Sequence, residues 1–142
     1  ALLDDLIARI QNVETLARRY DLLRSLPGVG PVTATVLLIR MPELGTMQRG
    51  QPAALVGTAP FDRESGAYKG QRRIAGGRKR PRRLLYIAAL AARRVCPCLA
   101  AFARRLADNG KPPKLILVAI MRKLIEAANI VLKRGSPWVN AT

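Results

Sequence analysis

The residues with the clearest chemical potential sit in Asp62-Arg63-Glu64-Ser65-Gly66, just ahead of a run of cations. Ser65 carries a hydroxyl beside Arg63, Lys69, Arg72 and Arg73. A serine attacking phosphorus needs cations to stabilise the more negative pentacoordinate transition state and to ease its own deprotonation. The chain has no histidine, so the proton must pass to a carboxylate, an arginine or a metal-bound hydroxide. Taken by spacing alone, Glu-Ser-Gly reads first as an ordinary turn.

A second constellation is Pro27-Gly28-Val29-Gly30 followed by Pro31 and Thr33. With the apolar flanks Leu23, Leu26, Ala34, Leu37 and Leu38 it matches a helix-hairpin-helix over about residues 22–40. Two glycines permit a tight turn that brings backbone N–H groups to a phosphate with no side chain in the way. Pro31 opens a helix whose N-terminal dipole end favours an anion. Gly28, Val29 and Gly30 are therefore expected at DNA backbone, with Thr33 as an added hydroxyl donor. Such a motif grips phosphate without reading bases. The same glycine-rich turn joins helices in proteins that never touch DNA.

Between Lys69 and Arg105 lie twelve lysines and arginines and not one acid. The remaining cations are nearly balanced by the chain's nine acids, so most of the net charge of +16 resides in this quarter of 142 residues. A surface that is merely solvated mixes signs; segregation on this scale points to a polyanion. Lys69, Arg72, Arg73, Arg78, Lys79, Arg82 and Arg83 are the expected DNA contacts. If about six of the cations meet phosphates, the log–log salt slope is near −5.

The length suits one domain, and 49% apolar residues suffice for a core. Aromatics at 4% argue against a platform for stacking single-stranded bases. Without histidine, His-dependent triads and His-ligated metals are excluded. Cys96 and Cys98 are too close for an unstrained disulfide and too few for zinc, so they read as free thiols. No signal peptide or membrane-length apolar run is legible. The opening Ala1-Leu2-Leu3-Asp4-Asp5, without methionine, reads as a cut inside a longer protein.

These groups must be positioned by helices, and the fold class expected is mainly α, with one long loop or small β-hairpin inserted. Leu3, Leu6, Ile7, Ile10, Val13 and Leu16 recur at three and four, predicting a helix from Leu2 to about Arg19. Asp21 to Leu26 reads as a short second helix or turn. Further helices are expected from Pro31 to Pro42, about Gln48 to Val56, Pro81 to Val95, Cys98 to Asp108, and Pro113 to Lys133. The last is apolar on nearly every side at its start and should be central. On the Pro81 helix, Leu84, Ala88, Ala91 and Val95 are expected inward and Arg82, Tyr86 and Arg93 outward. Residues 57–77, with four glycines after position 65, form the loop that carries the serine.

The ordered blocks Leu-Pro-Gly-Val-Gly-Pro-Val-Thr-Ala, Ala-Ala-Leu-Val-Gly-Thr-Ala-Pro, Arg-Glu-Ser-Gly, Lys-Gly-Gln-Arg-Arg-Ile-Ala-Gly-Gly, Arg-Arg-Leu-Leu-Tyr-Ile-Ala-Ala-Leu and Gly-Lys-Pro-Pro-Lys resemble one transposase family. It is the C-terminal domain of the insertion-sequence one-hundred-ten transposases, bridge-RNA-guided recombinases with an N-terminal RuvC-like domain. The resemblance runs from about Leu23 to Arg134. It implies that residues 1–20 end a coiled-coil connector and that 21–142 form the C-terminal transposase domain. It also implies that Ser65 joins covalently to a DNA strand, with Arg63 in the catalytic site. No metal ligand is expected in this chain. Mg2+ is expected at four acidic ligands of the RuvC-like domain, so this portion alone should bind DNA without cutting it. Double-stranded DNA, a guide (bridge) RNA and a homo-oligomer are the implied partners, with no membrane, in the bacterial cytoplasm near the nucleoid. A non-enzymatic helix-hairpin-helix module that positions DNA or RNA for another domain is the alternative. A basic RNA-binding protein of ribosomal type is a third class.

Overall fold

A computed structural model describes residues 2–12, 14–58 and 79–139. Among the described residues the chain is mainly α: seven helices and no strand. They are α1 (Leu2–Asn12), α2 (Glu14–Arg24), α3 (Pro31–Arg40), α4 (Gln51–Leu55), α5 (Lys79–Val95), α6 (Pro97–Asp108) and α7 (Pro113–Arg134). The β-hairpin expected as one form of the insertion lies outside the described residues.

Prolines and glycines set most boundaries. α3, α6 and α7 each begin on proline, whose missing N–H costs nothing in a first turn. Pro42 follows the end of α3, and α7 stops at Gly135, where φ is +72° and the N–H returns to Val131 O at 2.9 Å. The sequence pattern is corrected at several boundaries: α4 starts at Gln51 rather than about Gln48, α5 at Lys79 rather than Pro81, and α6 at Pro97 rather than Cys98. The helix expected from Leu2 to about Arg19 is found as α1 and α2, and α2 runs on through Asp21, expected to open a separate short helix or turn, to Arg24. Buried Tyr20, Leu22 and Leu23 make the reason plain. Residues 14–24 contain no glycine or proline, and Tyr20, Leu22 and Leu23 turn toward the same core while Leu16 stays exposed.

α7 is the central helix, as its apolar start predicts. Ile120, Leu124, Ile125 and Ala128 are almost completely buried, and α2, α4, α5 and α6 pack around it. α3 lies between α2 and α5, and α1 leans on α2 and α3. α5 and α6 turn through 99° at Cys96, which caps α6. Residues 135–139 fold back over α2: Arg18 Nη2 donates to Gly135 O at 2.9 Å, and Trp138 N donates to Ser25 Oγ at 2.9 Å. Among the described residues no single helix is long and apolar enough to cross a membrane.

Candidate nucleic-acid interface

The turn between α2 and α3 is built tightly. Ser25 Oγ donates to Leu22 O at 2.6 Å, closing α2, and Val29 N donates to Leu26 O at 3.2 Å. Gly28 has φ +79°, a conformation that side chains resist. A Cβ there would also stand 2.3 Å from Ala88 O and 2.9 Å from Ala92 N. Gly28 is therefore required where the turn presses against the backbone of α5. This close approach joins two constellations that lie some sixty residues apart in sequence.

The expected phosphate contacts of this turn divide accordingly. Val29 is buried and its N–H already serves Leu26. Thr33, expected as a hydroxyl donor, is only 7% exposed, which leaves its side chain little access to an external phosphate. Its position in the first turn of α3 points it inward beside Ala34 and Leu37, both buried. Gly30 is different. It caps α3 with extended backbone, brings no side chain of its own to that helix start, and a Cβ there would meet nothing within 4 Å. The start of α3 presents first-turn backbone N–H groups of the kind that attract anions.

α5 carries the exposed charge. Lys79, Arg80, Arg82, Arg83 and Arg94 all stand in solvent, and the helix contains no acid. Its inward face is Pro81, Leu85, Ala88, Ala89 and Ala92, rotated from the face the sequence suggested. Leu84 and Ala91 are half-buried, and Val95, expected inward, is 67% exposed. Small side chains explain the rotation. Ala88, Ala89 and Ala92 let the α5 backbone come within contact of Gly28, whereas a leucine there would hold the helices apart. Arg93, expected outward, is half-buried in consequence.

Lys79, Arg82 and Arg83 thus sit on the helix that receives the Gly28 turn. Ser65, Arg63, Lys69, Arg72, Arg73 and Arg78 lie outside the described residues. The segment that contains them lies between Thr58, buried and bonded to Ala53 O, and Lys79, the exposed first residue of α5.

One polar device escapes notice in the sequence. Asn129, buried in α7, accepts from Gly45 N at 2.6 Å and Met47 N at 3.3 Å, and donates to Met47 O at 2.8 Å. Lys133 Nζ donates to the same carbonyl at 2.8 Å, and Glu126 accepts from Gly50 N and Ala53 N, both at 3.0 Å. Three side chains at i, i+3 and i+7 therefore clip the α3–α4 connection onto α7 and cap α4. The available signal was a polar stripe along an otherwise apolar helix.

The two cysteines form no disulfide: Cys96 is buried, Cys98 half-buried, and their sulfurs stand 3.1 Å apart. Burial, followed by the neighbouring Cys96 sulfur, pushes the Cys98 thiol above its ordinary value. A raised thiol is the opposite of a poised nucleophile.

The sequence model of the transposase IS116/IS110/IS902 family matches residues 20–104. That span takes in the Gly28 turn, the serine-bearing segment, all of α5 and most of α6. The pilin gene-inverting protein of Moraxella bovis is 30% identical over 127 residues, which is 87% of this chain and 39% of that protein. The pilin gene-inverting protein of Moraxella lacunata is 30% identical over 124 residues, 84% of this chain and 38% of its own length. The chain thus spans about two fifths of the curated relatives it matches.

Proposed function

The chain belongs to the IS116/IS110/IS902 transposase family, and from that premise we propose that it is the DNA-binding and catalytic C-terminal portion of a recombinase that cuts and rejoins DNA. The observation that carries the reading is the family match across residues 20–104, which covers the turn, the serine segment and the cationic helix together. Two relatives are named for inverting a pilin gene, and inversion requires strands to be broken and rejoined.

In this reading Ser65 Oγ forms an ester to a DNA phosphorus while one P–O bond to the strand breaks. The serine proton leaves to a base, and the departing DNA oxygen takes one up. Rejoining reverses the exchange with a different strand end as nucleophile, so the number of phosphodiester bonds is conserved. Arg63, Arg72 and Arg73 hold and neutralise the attacked phosphate. Gly30 at the open start of α3, with Lys79, Arg82 and Arg83 on α5, fixes the neighbouring backbone.

Mg2+ belongs, in this proposal, to a RuvC-like domain and supplies electrostatic stabilisation there. Among the described residues no group of three or more Cys, Asp or Glu side chains gathers to hold a metal. The described part of this chain therefore does not fit such a site. A guide RNA that selects the target, a homo-oligomeric assembly, residues 1–20 as the end of a connector helix, and action in the cytoplasm at the nucleoid complete the proposal.

The test is to trap covalent protein–DNA adducts with the full coding sequence and its guide RNA. Ser65→Ala is expected to abolish them while duplex binding persists. Undiminished adducts would leave only a module that positions DNA for another domain.

A further inference from the structure

The outward face of α5 is not uniformly cationic. Arg83, Ile87, Leu90 and Arg94 follow one another at i, i+4, i+7 and i+11, so they line a single ridge. Ile87 is 54% exposed and Leu90 39% exposed, in the middle of that ridge, with Arg80 lying one turn ahead of Arg83 on nearly the same face. Isolated exposed leucines are common on protein surfaces. An isoleucine–leucine pair bracketed by arginines, on a helix without one acid, is a more specific arrangement.

We propose that Ile87 and Leu90 are an apolar wedge that enters an opened base step of DNA, while Arg83 and Arg94 hold the phosphates on either side. The inference rests on the DNA-binding reading of α5 and deepens it, naming distorted duplex as the preferred substrate. Charge complementarity selects the occupant. A protein partner for this ridge would have to bring its own acids to each arginine, whereas DNA brings phosphates at both ends and apolar base faces between them. The dimensions agree. Arg83 and Arg94 are separated by about 16 Å of helix rise, and with their side-chain reach they bracket a groove whose width is about 6–12 Å. Isoleucine and leucine are among the side chains that partly unstack a base step from the groove.

The 142-residue chain is tested on two duplexes of one sequence, fully paired and with a central mismatched step. Each carries 2-aminopurine at that step, which brightens when unstacked. The mismatched duplex opens at lower cost, and the chain should bind it roughly tenfold tighter, with a rise in fluorescence on binding. Ile87→Ala/Leu90→Ala should bring that preference to within about twofold and remove the rise, while the salt slope, which counts phosphate contacts, stays as it was. Both positions are exposed, so melting of the variant confirms an intact fold. A preference and a fluorescence rise that survive the double substitution overturn the wedge, as does a wild-type chain that shows neither. Arg83→Ala/Arg94→Ala tests the underlying reading separately. If affinity and salt slope are both unmoved by it, the DNA-binding assignment of α5 fails and the wedge fails with it.

Discussion

At Gly28 the chain has no spare room, because a single added carbon would sit 2.3 Å from Ala88 O. Across the same helix, Arg82, Arg83, Ile87, Leu90 and Arg94 stand in solvent. One side of α5 is defined by what must be absent, a side chain on the approaching turn. The other is defined by what has been added beyond any need of folding. The contrast teaches that glycine and arginine in this family-matched stretch answer to different demands, although both invite a phosphate-binding interpretation. Gly28 is first a packing residue, and through that packing it holds the start of α3 beside the cationic helix.

The comparison can be broken most directly at the turn. Gly28→Val is expected to cost more than about 3 kcal/mol, since it combines backbone strain with a clash against main-chain atoms that cannot retreat. Urea unfolding reads this, and a stability near that of the parent would mean the turn does not press on α5. Next in size is Asn129→Ala, at about 2–3 kcal/mol, because it strands buried polar groups of Gly45 and Met47. That loss should appear in unfolding and leave the salt dependence of DNA binding of the remaining folded protein alone. Gly30→Ala sharpens the contrast between the two glycines. Its Cβ meets open space, so it should cost about 1 kcal/mol or less, the ordinary penalty for alanine at a helix start. A measurable loss of DNA affinity in that stable variant would mark Gly30, rather than Gly28, as the position where the backbone nears phosphate. The smallest effect on stability belongs to Arg82→Ala/Arg83→Ala. Its melting temperature should match the parent, while the log–log salt slope becomes shallower by about 2.

Much of the helical plan was legible because its signals are local. Pro31 and Pro113 announce helix starts, Gly135 announces a stop, and the apolar run after Leu115 identifies α7 as central. The charge segregation from Lys69 to Arg105 was equally plain, being a property of composition. Beyond helix ends shifted by a few residues, the failures are questions of which way a helix faces. Val95 was expected inward because it is apolar, and it is 67% exposed because α5 packs through its alanines instead. Leu2 to Arg19 reads as one periodic stripe, yet Leu16 is exposed while Tyr20 and Leu23 are buried, since α2 follows the core formed with α7. Nothing in the spacing of Glu126, Asn129 and Lys133 says that their partners are backbone groups of residues 45–53.

The sequence by itself determined the helical class, the placement of most helix ends, the excess of cations and the family to which the chain belongs. Each of these follows from residues near one another in the chain, or from order and composition alone. Only the tertiary structure decided which glycine is indispensable and why, which side of α5 faces outward, and how the α3–α4 connection is held to α7. Those outcomes depend on close approach between elements distant in sequence, where the absence of a Cβ or the smallness of an alanine matters as much as any charge. Steric fit of that kind leaves almost no trace in a one-dimensional pattern, because alanine and glycine look alike wherever they fall.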